Sequence, residues 1–197
     1  TEYVGRVVII ATGASPRKLE IEGAREFMGR GVSYCATCDG FFYSSKTVIV
    51  MGGGNSALND ALYLADLAKT VKIVYRKSEF FRAEAILRER VAQRENIECL
   101  FNTDLEKIEE KPDSTDGELI VTTTTGEQLV VDGVFVAIGH EANTDYLSES
   151  VRKMEKISNT QKKIYEFVQK FKKIGHLQQF GIVKDNEYLF AISNSQT

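Results

Sequence analysis

The chain is poor in histidine and in cysteine: it has two of the first, His140 and His176, and three of the second in 197 residues. That shortage weakens any metal reading, because a Cys-x-x-Cys half-site for zinc needs a second pair or well-placed histidines. No metal site is expected. Three cysteines also fall short of the disulfide framework of a small secreted domain, so a reducing compartment, the cytoplasm, is expected. No apolar run approaches the roughly 20 residues that span a membrane, and the first residues lack the charged-then-apolar pattern of a secretion signal. Net charge is -3. It is acidic before Ser148 and basic after it, a shift that marks a candidate boundary. The basic residues of the tail alternate with acidic ones and no base-reading motif accompanies them, so nucleic acid is not an expected partner.

What the chain does have is a pair of thiols three positions apart in Cys35-Ala36-Thr37-Cys38-Asp39-Gly40, with Gly31 four residues upstream. The spacing reads as a redox pair near the start of a helix. Unsatisfied N–H groups at a helix N-terminus favour thiolate over thiol and make one sulfur nucleophilic at neutral pH. Half of a zinc site is the alternative.

A second motif follows. Lys46 to Met51 is a continuous apolar strand that runs into Gly52-Gly53-Gly54-Asn55-Ser56-Ala57, and Leu58, Ala61, Leu62, Ala65 and Ala68 then recur at helical spacing. Strand, glycine turn and helix together form the context in which G-x-G-x-x-A signals dinucleotide binding. Gly52 permits the turn, Gly54 lets the backbone approach a diphosphate, and Ala57 lets the helix pack close to the strand. The diphosphate is expected over the helix N-terminus. About 20 residues on, where an NAD site places a carboxylate for the ribose 2′-hydroxyl, stand Arg76 and Lys77, with Arg82 shortly after. These cations attract a 2′-phosphate, so NADP is the expected cofactor. The alternative reading is a set of solvated surface cations.

The remaining pattern fills in an α/β domain. Arg6 to Ala14 reads as a buried strand, Ser15-Pro16-Arg17-Lys18 as a linker, and Phe41-Phe42-Tyr43 as core-packing aromatics. Val71 to Tyr75 and Asn96 to Phe101 read as strands, with a helix between them from Ala83 to Arg94 that turns Ile86, Leu87 and Val91 inward. Cys99 is expected to pack as a small apolar residue. Leu105 to Glu110, Glu118 to Thr125 and Glu127 to Val131 read as an antiparallel meander, and Val134 to His140 as the last buried strand, with Ile138 and Gly139 beside a cofactor. His140 reads either as catalytic or as a residue at a domain junction. In the tail, Asn159 to Lys173 has the spacing of an amphipathic helix, and Gly181 to Val183 pairs with Tyr188 to Phe190 as a hairpin.

With these motifs placed, residues 1 to about 147 resemble the low-molecular-weight thioredoxin reductase family. The most specific pieces are Gly31 to Tyr43, Gly52 to Ala57, Phe81-Arg82-Ala83-Glu84 and Phe135 to His140. The resemblance implies a Rossmann-like three-layer NADP-binding domain with an antiparallel β-meander over residues 18–140. Residues 1–17 would be the end of a first FAD-domain lobe, with Ala11-Thr12-Gly13 near the flavin nucleotide. Residues 141–197 would be a linker and tail in the position of the second lobe. It further implies that Cys38 faces the flavin, that Cys35 attacks the disulfide of thioredoxin or a similar small protein, and that Asp39 handles the thiol proton. The domain would turn about linkers near Pro16 and Glu141, in a parent that is a homodimer.

Three departures stand out. Lys77 replaces a second arginine, Phe80-Phe81 adds a residue before Arg82, and Ala142 replaces a proline. The family's opening G-x-G-x-x-G and its late Gly-Asp motif are both absent. A fragment of a flavoenzyme, or a truncated relative with an incomplete FAD site, is therefore expected. The rival readings are the flavoprotein component of a peroxide reductase and a flavin-free NADP-binding or thiol-disulfide module.

Overall fold

The computed structural model describes residues 13–114, 116–143, 145, 179–183 and 188–192. Most of the strand expected over Arg6 to Ala14, and the whole helix expected over Asn159 to Lys173, lie outside these residues. The chain divides into two compact units: Pro16–Gly139, and the flanking stretches Thr1–Ser15 with His140–Thr197.

In chain order the elements are β1 (Ala14–Pro16), β2 (Val32–Ser33), the short helix α1 (Ala36–Asp39) with a 3-10 turn over Gly40–Tyr43, β3 (Thr47–Met51), α2 (Asn55–Ala65) and β4 (Thr70–Tyr75). They continue with α3 (Ala85–Ala92), β5 (Ile97–Phe101), β6 (Leu105–Glu110), β7 (Leu119–Thr123), β8 (Gln128–Val131), β9 (Gly133–Val136), β10 (His140–Ala142), β11 (Gln179–Val183) and β12 (Tyr188–Ile192).

Pro16–Gly139 is built on a five-stranded parallel sheet in the order β2-β9-β3-β4-β5. Side chains alternate across a strand, so a strand buried on both faces must be apolar at every position, and β3 is the clearest case. Val48 and Val50 face the helices, in a core with Leu58, Ala61 and Leu62 of α2 and Leu87 and Val91 of α3. Ile49 and Met51 face the other way, onto Ile108, Leu119, Val121 and Val131 of the antiparallel sheet β6-β7-β8. The result is three layers: helices, parallel sheet and meander. The parallel pairing needs crossovers between β3, β4 and β5, which α2 and α3 supply. It also brings β2 beside β9, where Arg17 N–H donates to the Gly139 carbonyl (2.9 Å), so the chain enters and leaves this unit at one place.

Several expectations are corrected. Ser15 and Pro16, read as part of a linker, lie in a strand, Ala14–Pro16, that pairs with β10, and the division between the two units falls between them. Asn143 N–H donates to the Gly13 carbonyl (3.0 Å) and Ser15 Oγ to Asn143 Oδ1 (2.8 Å) in the flanking unit. The strand expected to run from Val134 to His140 ends at Val136, and Gly139, at φ +101°, turns the chain before β10. Phe41 and Phe42 are 74% and 72% exposed instead of core. A 3-10 turn has three residues per turn, so Gly40 and Tyr43 share the inner side and the two phenylalanines are left outside. A side chain at Gly40 would meet Leu64 and Tyr63 at 3.0 Å, and Tyr43 sets its edge on Phe135 (5.2 Å, 78°). Ile86 is likewise exposed, because an eight-residue helix holding Leu87 and Val91 inward rotates its neighbour toward solvent.

The hairpin β11–β12 is antiparallel, with Val183 opposite Tyr188 and Gln179 opposite Ile192. Among the described residues no helix is long and apolar enough to cross a membrane.

Candidate redox and nucleotide sites

Cys35 and Cys38 are joined in a disulfide, with Cα atoms 5.2 Å apart. Cys35 is the N-cap of α1, its backbone extended at φ -141° and ψ 97°, so the chain turns from β2 into the helix at the first sulfur. The helix is a single turn. What favours charge on Cys35 here is local: the Cys38 N–H donates to Cys35 Sγ (3.2 Å), and Thr37 Oγ1 lies 3.5 Å from the same sulfur. A donor held by the backbone keeps its aim when the disulfide opens, and a charge-assisted bond stabilises thiolate over thiol. Cys38 is exposed and Cys35 partly so.

Asp39 closes the helix and is half-buried. Its Oδ2 accepts from Ser33 Oγ (2.6 Å), and the same oxygen of Ser33 accepts from the Cys35 N–H (3.0 Å). Ser33 is 5% exposed, so β2 supplies a rigid post between the first cysteine and the carboxylate. Sequence reading overlooked Ser33; its only signal was the strand it closes, two residues before Cys35. Asp39 opens onto a hollow of about 490 Å³ that Tyr43, Lys46 and Asp132 also line. Burial, then the negative charges of Asp39 and Asp132, push the Tyr43 phenol above its ordinary value of 10.0.

The glycine turn lies elsewhere in the same unit. Gly52 has φ +142°, and a Cβ there would stand 2.3 Å from the Ala137 carbonyl oxygen and 3.0 Å from the Ala57 Cβ. Close passage of β3 under β9 thus requires glycine, and fully buried Ala57 completes the contact. A Cβ on Gly54 would meet nothing within 4 Å, so the space over that residue is open. Gly54 is the N-cap of α2 and brings no side-chain acceptor. The first helical bond runs from Leu58 N–H to the Gly54 carbonyl (3.1 Å), which leaves the N–H groups of Asn55, Ser56 and Ala57 without helical acceptors.

These residues border a cleft of about 510 Å³. Its walls hold the glycine turn with Asn55 and Ser56, the segment Ala137–Gly139, and five cations: Arg17, Lys18, Arg76, Lys77 and Arg82. Two carboxylates, Glu20 and Asp104, are also present, so the cleft is net positive. Among the described residues no ion pair ties Arg76, Lys77 or Arg82 to a carboxylate. Backbone N–H groups without helical acceptors, together with Arg76, Lys77 and Arg82, fit a nucleotide with a diphosphate and a further phosphate.

The structure therefore gathers Gly52, Gly53, Gly54, Asn55, Ser56, Arg76, Lys77, Arg82, Ile138 and Gly139 around one cleft, while Ala57 packs behind it. Cys35, Cys38 and Asp39 do not line it. Arg17 and Lys18 were missed because they follow Pro16 and read as linker. Cys99, expected to be buried, is half-buried, and that burial raises its thiol above its ordinary value.

The family model for pyridine nucleotide-disulphide oxidoreductase matches residues 1–164. Over 151 residues the chain is 43% identical to a thioredoxin reductase of Mycolicibacterium smegmatis, covering 76% of this chain and 48% of that protein. It is 46% identical over 146 residues to a glucosaminate ammonia-lyase of Pseudomonas fluorescens, covering 72% and 45%. The crystal structure of Lactococcus lactis thioredoxin reductase superimposes with a TM-score of 0.63 at 35% identity, covering 72% of this chain and 47% of the other. The chain thus spans about half the length of the curated relatives it matches.

Proposed function

Because the chain belongs to the pyridine nucleotide-disulphide oxidoreductase family, we propose that it is the NADPH-binding and disulfide-carrying part of a thioredoxin-disulfide reductase. One observation carries this reading. A single compact unit, Pro16–Gly139, holds both the Cys35–Cys38 disulfide and a net-positive cleft at a glycine turn.

In this reading the N–H groups that open α2 hold the diphosphate, and Arg76, Lys77 and Arg82 hold the 2′-phosphate. When bound, NADPH would supply hydride and FAD would supply the link that brings its electron pair to the Cys35–Cys38 disulfide. The residues of this chain perform the exchange that follows. The Cys35 thiolate, favoured by the Cys38 N–H, attacks one sulfur of a protein disulfide and forms a mixed disulfide. Cys38 then attacks Cys35, which restores the internal disulfide and releases the partner as a dithiol. Two electrons leave this pair and two enter the partner; Asp39, held by Ser33, takes the Cys38 thiol proton and passes it to the partner's leaving sulfur, and the partner's other sulfur takes its proton from water. Phe41 and Phe42, exposed just after Cys38, offer an apolar surface on which a small protein partner docks. The parent enzyme is read as a cytoplasmic homodimer.

Two measurements on the 197-residue chain test this. Titration with NADPH and NADH should show at least about tenfold tighter binding of NADPH, the effect of a few charge-assisted bonds. Equal affinity removes the role given to the cleft cations. The chain, reduced with dithiothreitol and desalted, should transfer one electron pair to oxidised thioredoxin, and Cys35→Ser should transfer none while binding NADPH as before. Undiminished transfer by Cys35→Ser would reassign the nucleophile.

A further inference from the structure

Asn55 and Glu84 hold each other by two bonds. Asn55 Nδ2 donates to Glu84 Oε1 (3.0 Å), and the Glu84 N–H donates to Asn55 Oδ1 (2.9 Å). The two residues are 29 apart in sequence and begin different helices: Asn55 is the first residue of α2, and Glu84 is the N-cap of α3. Glu84 makes no side-chain cap to its own helix. Its carboxylate reaches across to α2 instead. An N-cap ordinarily bonds the N–H two or three residues on, so this residue forgoes a local bond for a distant one.

The segment it anchors carries Arg82. From Ser78 to Glu84 the chain has no helix or strand, and its place is set by what is buried. Phe80 is 7% exposed, stacked on Tyr75 (5.7 Å) and edge-on to Phe101 (4.8 Å), and Ala83 is 6% exposed. Between these two anchors Phe81 and Arg82 stand out into the cleft, the Arg82 guanidinium 5.5 Å from the centre of the Phe81 ring. Phe80 fixes the segment on the sheet side. Among the described residues, only the Asn55–Glu84 pair fixes it, by side chains, to the helix end where the glycine turn opens.

We propose that Glu84 is a positioning residue for nucleotide selection: through Asn55 it sets the distance between the diphosphate end of the cleft and Arg82, and so makes Arg82 able to read a 2′-phosphate. This rests on the reading of the cleft as an NADPH site. It assigns Glu84 no contact with the nucleotide. Its carboxylate acts by holding a loop whose cation pays off only for the phosphorylated cofactor.

The test is equilibrium binding of NADPH and NADH to the 197-residue chain and its variants at one fixed ionic strength. Glu84→Ala removes the Asn55 Nδ2 acceptor and should weaken NADPH about 3- to 10-fold, the worth of one such bond, with NADH within about twofold of the parent. Glu84→Gln keeps an acceptor of the same reach and should bind NADPH and NADH as the parent does. Glu84→Asp caps α3 at least as well but is too short to reach Asn55. It should therefore lose NADPH affinity as Glu84→Ala does while its helix is, if anything, more stable, and it serves if Glu84→Ala folds poorly. Equal weakening of both nucleotides, or no change in either, overturns the assignment. The parent chain reports on the cleft separately: if it fails to prefer NADPH, the nucleotide reading itself falls, whatever the variants do.

Discussion

Gly53 has no conformational reason to be glycine, yet a Cβ there would lie 2.5 Å from three atoms of the Tyr75 ring. Tyr75 in turn is stacked on buried Phe80, so the ring has little room to give way. Gly53→Ala should therefore cost about 1–3 kcal/mol, the usual penalty of overpacking, read as a lower urea midpoint with an unchanged slope. A midpoint equal to the parent's would mean that Tyr75 moves freely. Glycine at this position was legible in the sequence as part of a motif, but its partner was not. The clash comes from the parallel register that sets Met51 beside Val74, and no local pattern encodes it. Ser33 was hidden for the same reason: its bond to Asp39 depends on how β2 meets α1. The pairing of Cys35 with Cys38 and the gathering of Arg76, Lys77 and Arg82 at one cleft were legible, because a chemical type at a fixed spacing carries the signal by itself.

At the scale of elements, α2 carries most of the unit's helical core, with Ala57, Leu58, Ala61, Leu62, Leu64 and Ala65 buried. The same helix carries Asp60, whose carboxyl burial pushes up from 3.8 to about 6. The unfolded chain ionises this group near 3.8 and the folded chain near 6, so between these values the folded state binds more protons. Stability contributed by the protonated group is thus present below about pH 4 and lost as pH rises through 6. Asp60→Asn should remove this slope and raise stability at pH 7 by about 1–3 kcal/mol, measured as urea unfolding from pH 4 to 8. A slope unchanged by the substitution would place the titration elsewhere.

Periodicity located α2, β3, β4 and the meander well, because each is long enough to show a face. It failed at short elements. Four residues of 3-10 turn hid the exposure of Phe41 and Phe42, and three-residue β1 read as linker because proline at an edge strand looks the same as proline in a loop.

On the scale of the whole molecule, Pro16–Gly139 holds two apolar cores, one on each face of its parallel sheet. Burial on that scale suffices for independent folding, so residues 16–139 alone should unfold in a single cooperative transition. A broad, non-cooperative loss of structure would show that the flanking stretches are required. The bond from Arg17 N–H to the Gly139 carbonyl adds a consequence for ancestry and for engineering. Where entry and exit touch, splicing the unit into a loop of another protein closes that loop with little entropy lost. Such a unit can be inserted as a cassette. By the same token a circular permutant that joins residue 139 to residue 16 through a few glycines, and opens the chain at the exposed turn around Gly126, should keep both cores and the cleft intact.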